Sequence, residues 1–272
     1  MKAVAEARAE IERLWGPTRQ PKFGPRAKQS AREVARAAIR LADAQGLDAL
    51  TMRSLAAEFG LSPMGLYTYF PSKFELVELM VDEVYAGLAL SYEPADGWRG
   101  RLAEVADANW RLVMQHPWLA DVEGHRPVLG PNVISKYDQE LRAIDGLGLS
   151  DVEMDLVLAT VLSFVRGAAR GKLDAASATR RSGLSDAAWW QARQPLLAAV
   201  LGDQFPLAQR VGAAVGETNN APGDPDLSFR FGLDRLLDGV AALLGEPAHG
   251  ERVRPGAAGA KPASAGRAGS GS

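Results

Sequence analysis

Seven cations, Arg19, Lys22, Arg26, Lys28, Arg32, Arg36 and Arg40, stand in one short stretch against a single acid, Glu33. A local excess of this kind neutralises phosphates, although a solvated helix face with a basic lead-in has the same composition. The rest of the chain is acidic enough to bring the net charge to −2, so any nucleic-acid surface has to be confined to this end. Other chemistries have less to work with. No cysteine is present, which excludes disulfides and thiolate metal sites, and no two of the three histidines are spaced as a ligand pair. No metal and no cofactor are called for.

The basic run leads into Leu50–Phe70, where about nine helix-forming residues are followed by Gly60-Leu61-Ser62 and a second short helical segment. That order is a helix-turn-helix, whose second helix enters the major groove of DNA. Gly60 permits the sharp turn because it adopts a positive φ without a Cβ clash. Leu55, Ala56 and Phe59 are expected to face inward from the first helix, with Leu61 and Leu66 completing a small core.

The positions Thr51, Leu55-Ala56, Gly60-Leu61-Ser62, Leu66-Tyr67, Tyr69-Phe70, Ser72-Lys73 and Glu75-Leu76 resemble the amino-terminal domain of the tetracycline-repressor (TetR) family over about 50 residues. The resemblance implies an all-α fold: a three-helix helix-turn-helix domain followed by a helical ligand-binding and dimerisation bundle. It also implies a homodimeric repressor that leaves a palindromic double-stranded DNA operator when a small molecule binds. An activator, or a regulator answering to a protein, has the same sequence signature. Carried across residue by residue, Thr51 caps the first helix and touches phosphate, and Arg53 reaches a guanine edge. Ser62, Met64, Gly65 and Thr68 face bases, while Tyr67, Tyr69 and Lys73 hold the backbone. Packing within the domain is the competing reading for the tyrosines and is adopted for Phe70. Lys22, Arg26 and Lys28 form an arm suited to the adjacent minor groove.

These residues need elements to hold them. A short charged helix at 2–14 is ended by Gly16-Pro17, and Pro17, Pro21, Gly24 and Pro25 mark a flexible arm over 17–26. Helical periodicity follows at about 28–45, closed by Gly46, and from Thr51 to Gly60. Ser62-Pro63 is a cap followed by proline at the first helical position. Ser72 with Glu75, and Ser150 with Glu153, read as capping boxes. Further helices are expected at about 97–115, 131–146, 151–171, 186–201 and 226–244, the last opened by Asp224-Pro225. The domain reading is therefore 1–26 for the short helix and arm, 28–88 for the DNA-binding domain, 92–245 for the bundle, and 246–272 for a disordered tail poor in large apolar residues.

Within the bundle, Leu156, Val161, Val165, Leu233, Leu236 and Val240 are the expected dimer interface, though periodicity alone reads equally as internal core. Trp110, His116, Trp118, His125, Arg126 and Phe164 are the expected ligand lining. Gly124-His125-Arg126-Pro127 resembles the loop that meets the drug in tetracycline repressors proper. The histidines that serve magnesium–tetracycline have no counterpart at Gly87-Leu88-Ala89 or at Val122-Glu123, so an apolar or aromatic inducer is expected instead. A helical enzyme would need Glu-x-x-His pairs on facing helices, and none occurs. Glu6, Glu10 and Glu12 break a signal-peptide pattern and no apolar run is long enough for a membrane span, which reads as a cytoplasmic protein.

Overall fold

A computed structural model describes residues 2–16, 30–93, 96–122, 127–202 and 204–246, and among these residues there is no strand. The expected arm and nearly all of the expected tail lie outside them. No helix among the described residues is long and apolar enough to cross a membrane.

Local chemistry sets most boundaries. α1 is Lys2–Trp15, and α2 is Ala31–Gln45, opened by a Ser30–Glu33 capping box and closed at Gly46 with φ +85°. α3 is Met52–Glu58, α4 Pro63–Tyr67 and α5 Lys73–Tyr85. α6 is Gly97–Gln115, a 3-10 turn covers Pro117–Asp121, and α7 is Pro131–Leu141. α8 is Asp151–Ser182, α9 Asp186–Leu201, α10 Pro206–Asn219 and α11 Pro225–Leu243.

Several boundaries differ from expectation. α7 stops at Leu141 rather than 146, ahead of Gly146 and Gly148, both at positive φ. α8 continues to Ser182 rather than 171: Gly167 and Gly171 lie within it without a positive φ, and it stops ahead of Gly183, at φ +67°. The 3-10 turn and α10 were not anticipated from periodicity. The Ser72 hydroxyl takes the amide of Phe74 and bonds the Glu75 carboxylate directly, where a capping box would take the amide of Glu75. The Ser150–Glu153 box is made in both directions.

By contacts the chain forms two units, one of Met1–Arg181 with Pro225–Glu246 and a second that includes Ser182–Asp224. In the second, α9 buries none of its side chains and carries Pro195 internally, while α10 brings Gly216 against the Trp190 indole. The first unit holds two hydrophobic clusters. One gathers Val34, Ala38, Leu55, Leu66, Phe70 and Leu76 from α2–α5, and it also takes Leu14 from α1 and Leu112, Trp118 and Leu119 from α6 and the 3-10 turn. The other joins α6, α8 and α11 through Leu102, Val105, Leu158, Val165, Phe229 and Leu237.

Trp118 is 1% exposed, so the small helical head is completed by a side chain from beyond its own sequence. A three-helix head has a poor ratio of core to surface, and the added indole makes up part of that deficit. Replacing Trp118 by Ala is expected to lower the unfolding free energy by about 3–5 kcal/mol, read from denaturant titration of the full chain. A loss below about 1 kcal/mol would mean that the indole is not part of the core.

Candidate nucleic-acid interface

The α3–α4 corner is built from the chain's own backbone bonds. Gly60, at φ +62°, donates its amide to Ala57 O at 3.1 Å, and Leu61 donates to Ala56 O at 2.9 Å. These two bonds make a Schellman closure, which satisfies the carbonyls at the end of α3 while turning the chain sharply. Thr51 and Ser54 cap α3 reciprocally at 3.0 Å in each direction, and Ser62 Oγ accepts the Gly65 amide at 3.1 Å to cap α4.

Side chains at this corner separate cleanly. Leu55, Ala56, Leu66 and Phe70 are fully buried, and Phe59 and Leu61 are half-buried against them, as expected for the inward face. Outward stand Arg53, Ser62, Met64 (75% exposed), Tyr67 (45%) and Thr68. Thr68 Oγ1 donates to Gly65 O at 2.6 Å, which commits its hydroxyl to the helix. Gly65 is forced neither by φ nor by crowding, since a Cβ there would meet Ser62 Oγ at an ordinary 3.6 Å. Tyr69 is half-buried, and burial raises its pKa, with the Glu33 charge adding to the effect. Lys73 Nζ donates to Leu47 O at 2.7 Å, holding its ammonium at the α2–α3 connection.

The basic run is less free than its composition implies. Arg32 and Arg36 both pair with Glu83 of α5, and Arg40 lies 3.6 Å from Glu58. Arg53 makes no ion pair within the described residues. Lys22, Arg26 and Lys28 lie outside the described residues, as do His125 and Arg126.

The expected ligand lining is divided between two places. Trp110 stacks on Phe229 at 4.3 Å between centroids, and Phe164 also stacks on Phe229, at 5.9 Å. Lys172 sits over the Trp110 ring at 5.6 Å and bonds Asp226. His116 and Trp118 are elsewhere: the His116 ring Nδ1 and the Trp118 Nε1 both lie 2.8 Å from Asp43 Oδ1 on α2. Among the expected interface residues, Val161, Val165, Leu233 and Val240 are buried in the chain's own core. Leu156 is 58% exposed, and with Leu236, Gly239 and Leu243 it lines an apolar groove of about 380 Å³ between α8 and α11, floored by Val161 and Val240.

The sequence reading does not single out the buried polar side chains among the described residues, Glu78, Asp82, Asn109, Lys136 and Glu140. Asp82 on α5 accepts the amides of Asn132 and Val133 and the side chain of Asn132, capping α7 from another helix. Burial pushes the Asp82 carboxyl above its ordinary value, while those hydrogen bonds pull the other way. Lys136 and Glu140 form a buried pair that Asn109 joins at 2.6 Å. The one signal for Asp82 was Gly130-Pro131, a helix start with no capping side chain of its own.

Residues 34–80 match the family described as "Bacterial regulatory proteins, tetR family", and residues 91–244 match "Tetracyclin repressor-like, C-terminal domain". A Streptomyces coeruleorubidus protein, the HTH-type transcriptional repressor DrrR1, is 39% identical over 241 residues, covering 87% of this chain and 86% of the relative. The class A tetracycline repressor of transposon 1721 from Escherichia coli is 28% identical over 76% of this chain and 88% of its own length. Among solved structures, apo ActR of Streptomyces coelicolor superposes with a TM-score of 0.65 at 24% identity, covering 81% of this chain and all of that one.

Because the Thr51 hydroxyl holds the first turn of α3, Thr51→Ala is expected to cost about 1 kcal/mol of stability by thermal unfolding. An unchanged midpoint would mean that water replaces the cap at no cost.

Proposed function

Since the chain belongs to the TetR family of DNA-binding transcriptional regulators, which are not enzymes, we propose that it is a homodimeric repressor released from a palindromic operator by a small ligand. The observation that carries this reading is the outward surface of α3 and α4, where Arg53, Met64 and Tyr67 project from a closed turn and no ion pair among the described residues occupies the guanidinium. Arg53 takes a guanine edge bidentately. Met64 and the methyl of Thr68, whose hydroxyl is turned to Gly65 O, suit thymine methyls. Gly65 and Ser62 allow close approach of backbone to backbone, and Thr51, Tyr67, Tyr69 and Lys73 set the register on phosphates. The repressor sense is supported by the Streptomyces relative of that name.

One short reading helix specifies few base pairs, so two copies are required for a specific site. The apolar groove between α8 and α11 is the surface for the second copy, with Leu156, Leu236 and Leu243 at its rim. The inducer is an apolar or aromatic molecule, and the aromatic side chains of Trp110 and Phe164 around Phe229 supply the matching surface. Its effect on operator affinity is reciprocal, so operator DNA weakens inducer binding by the same factor. The protein acts in the cytoplasm, where its DNA target lies.

Selection from a random DNA pool by the purified protein is expected to return a palindrome with half-sites about one helical turn apart. Recovery of no motif would reject the reading. On the selected operator, Arg53→Ala is expected to cost about 1–3 kcal/mol and to relax preference at one position per half-site. Lys73→Ala is expected to weaken all sequences alike and to flatten the salt dependence. Leu156→Arg is expected to convert the dimer to a monomer in light scattering; an unchanged mass would exclude the α8–α11 groove as the interface.

A further inference from the structure

Two carboxylates of the DNA-reading head reach out of it, and both grip the following bundle. Asp43, near the end of α2, receives His116 and Trp118 just after α6. Asp82, fully buried on α5, caps the first amides of α7, with Asn132 N at 2.9 Å and Val133 N at 3.1 Å. The second grip is shaped for its occupant, because a Cβ on Gly130 would overlap the Asp82 carboxylate. Gly130 has φ −83°, so its backbone does not require glycine; the carboxylate does. From the other side, Trp15 of α1 donates its indole N–H to Leu129 O at 2.7 Å, while Arg13 pairs with Glu78 of α5.

We propose that Asp43 and Asp82 are positioning residues for operator recognition: by holding His116 and Trp118 just after α6 and the first turn of α7, they fix the angle of the reading head against the bundle and so the half-site spacing that the dimer accepts. Neither carboxylate touches DNA in this arrangement. Each acts through the segment it holds, and Asp82 needs Gly130 to do so. The proposal rests on the dimeric operator reading above.

The test compares the selected operator with a version lengthened by one base pair at its centre, a change of about 3.4 Å and about 35° between half-sites. The full-length wild type is expected to prefer the native spacing by about tenfold or more, the cost of a mismatched site. Asp82→Ala and Gly130→Ala, which break the joint from opposite sides, are expected to bring that ratio within about threefold. Asp82→Asn is expected to restore it, because both backbone amides bond Oδ1, which the amide retains. In the Asp82→Ala background, Gly130→Ala is expected to have no further effect. A general weakening that leaves the ratio unchanged would overturn the proposal, as would an unchanged ratio in both single variants. A readout without DNA keeps the two readings apart. The chain has no cysteine, so a fluorophore on Ala57→Cys of α3 reports the head alone. Time-resolved anisotropy is expected to gain a fast component in Asp82→Ala and Gly130→Ala; its absence would overturn the clamp even if wild type selected no palindrome.

Discussion

The joining of the helical head to α6 and the turn that follows depends on one indole being out of water. Trp118 is buried among side chains of α2–α5, and its N–H is satisfied by Asp43. Burying a tryptophan with its donor paired combines a large apolar area with a satisfied polar tip, a combination that is costly to undo. The consequence reaches well past the side chain. α6 has to end where the turn at Pro117 can present the indole, and α7 has to begin where Asp82 can cap it. The reading head and the bundle therefore share a core rather than meeting at a polar seam, and a displacement in either is transmitted as packing.

The electrostatics of the head follow a similar economy. Arg32 and Arg36 converge on Glu83, whose side chain is only 6% exposed, so two cations that look free in composition hold α2 against α5. Partner-held arginines contribute little sequence information to a DNA surface. Arg53 is differently placed, and the recognition helix Pro63–Tyr67 carries no charge at all. If Arg53, Met64 and Thr68 read bases as proposed, discrimination rests on shape, methyl contacts and one guanidinium, which makes the orientation of the head more consequential than its net charge.

What was legible in the sequence was what is decided within a few residues. Thr51, Gly60, Ser62-Pro63 and the Ser150–Glu153 box do what their types and spacing indicate, because capping and turn closure are local chemistry. The inward and outward faces of α3 and α4 were legible for the same reason, and the family signature rests on those positions. Asp43 and Asp82 were not, since their partners lie 73 and 50 residues away and nothing in a carboxylate's neighbours announces a distant helix start. His116 and Trp118 have the residue types of a ligand site, and their bonds to Asp43 were not legible, because aromatic and polar side chains suit both settings. The 3-10 turn was missed because five residues are too few to show a period.

The most direct measurement is denaturant unfolding of the full-length chain followed by two separate probes, one on Ala57→Cys in the reading head and one on Asp145→Cys at the exposed corner before α8. A shared core predicts coincident transitions with the same midpoint and slope, the behaviour of one cooperative body. Two separated transitions, with the head melting before or after the bundle, would contradict it and would mean that Trp118 joins two independently stable parts.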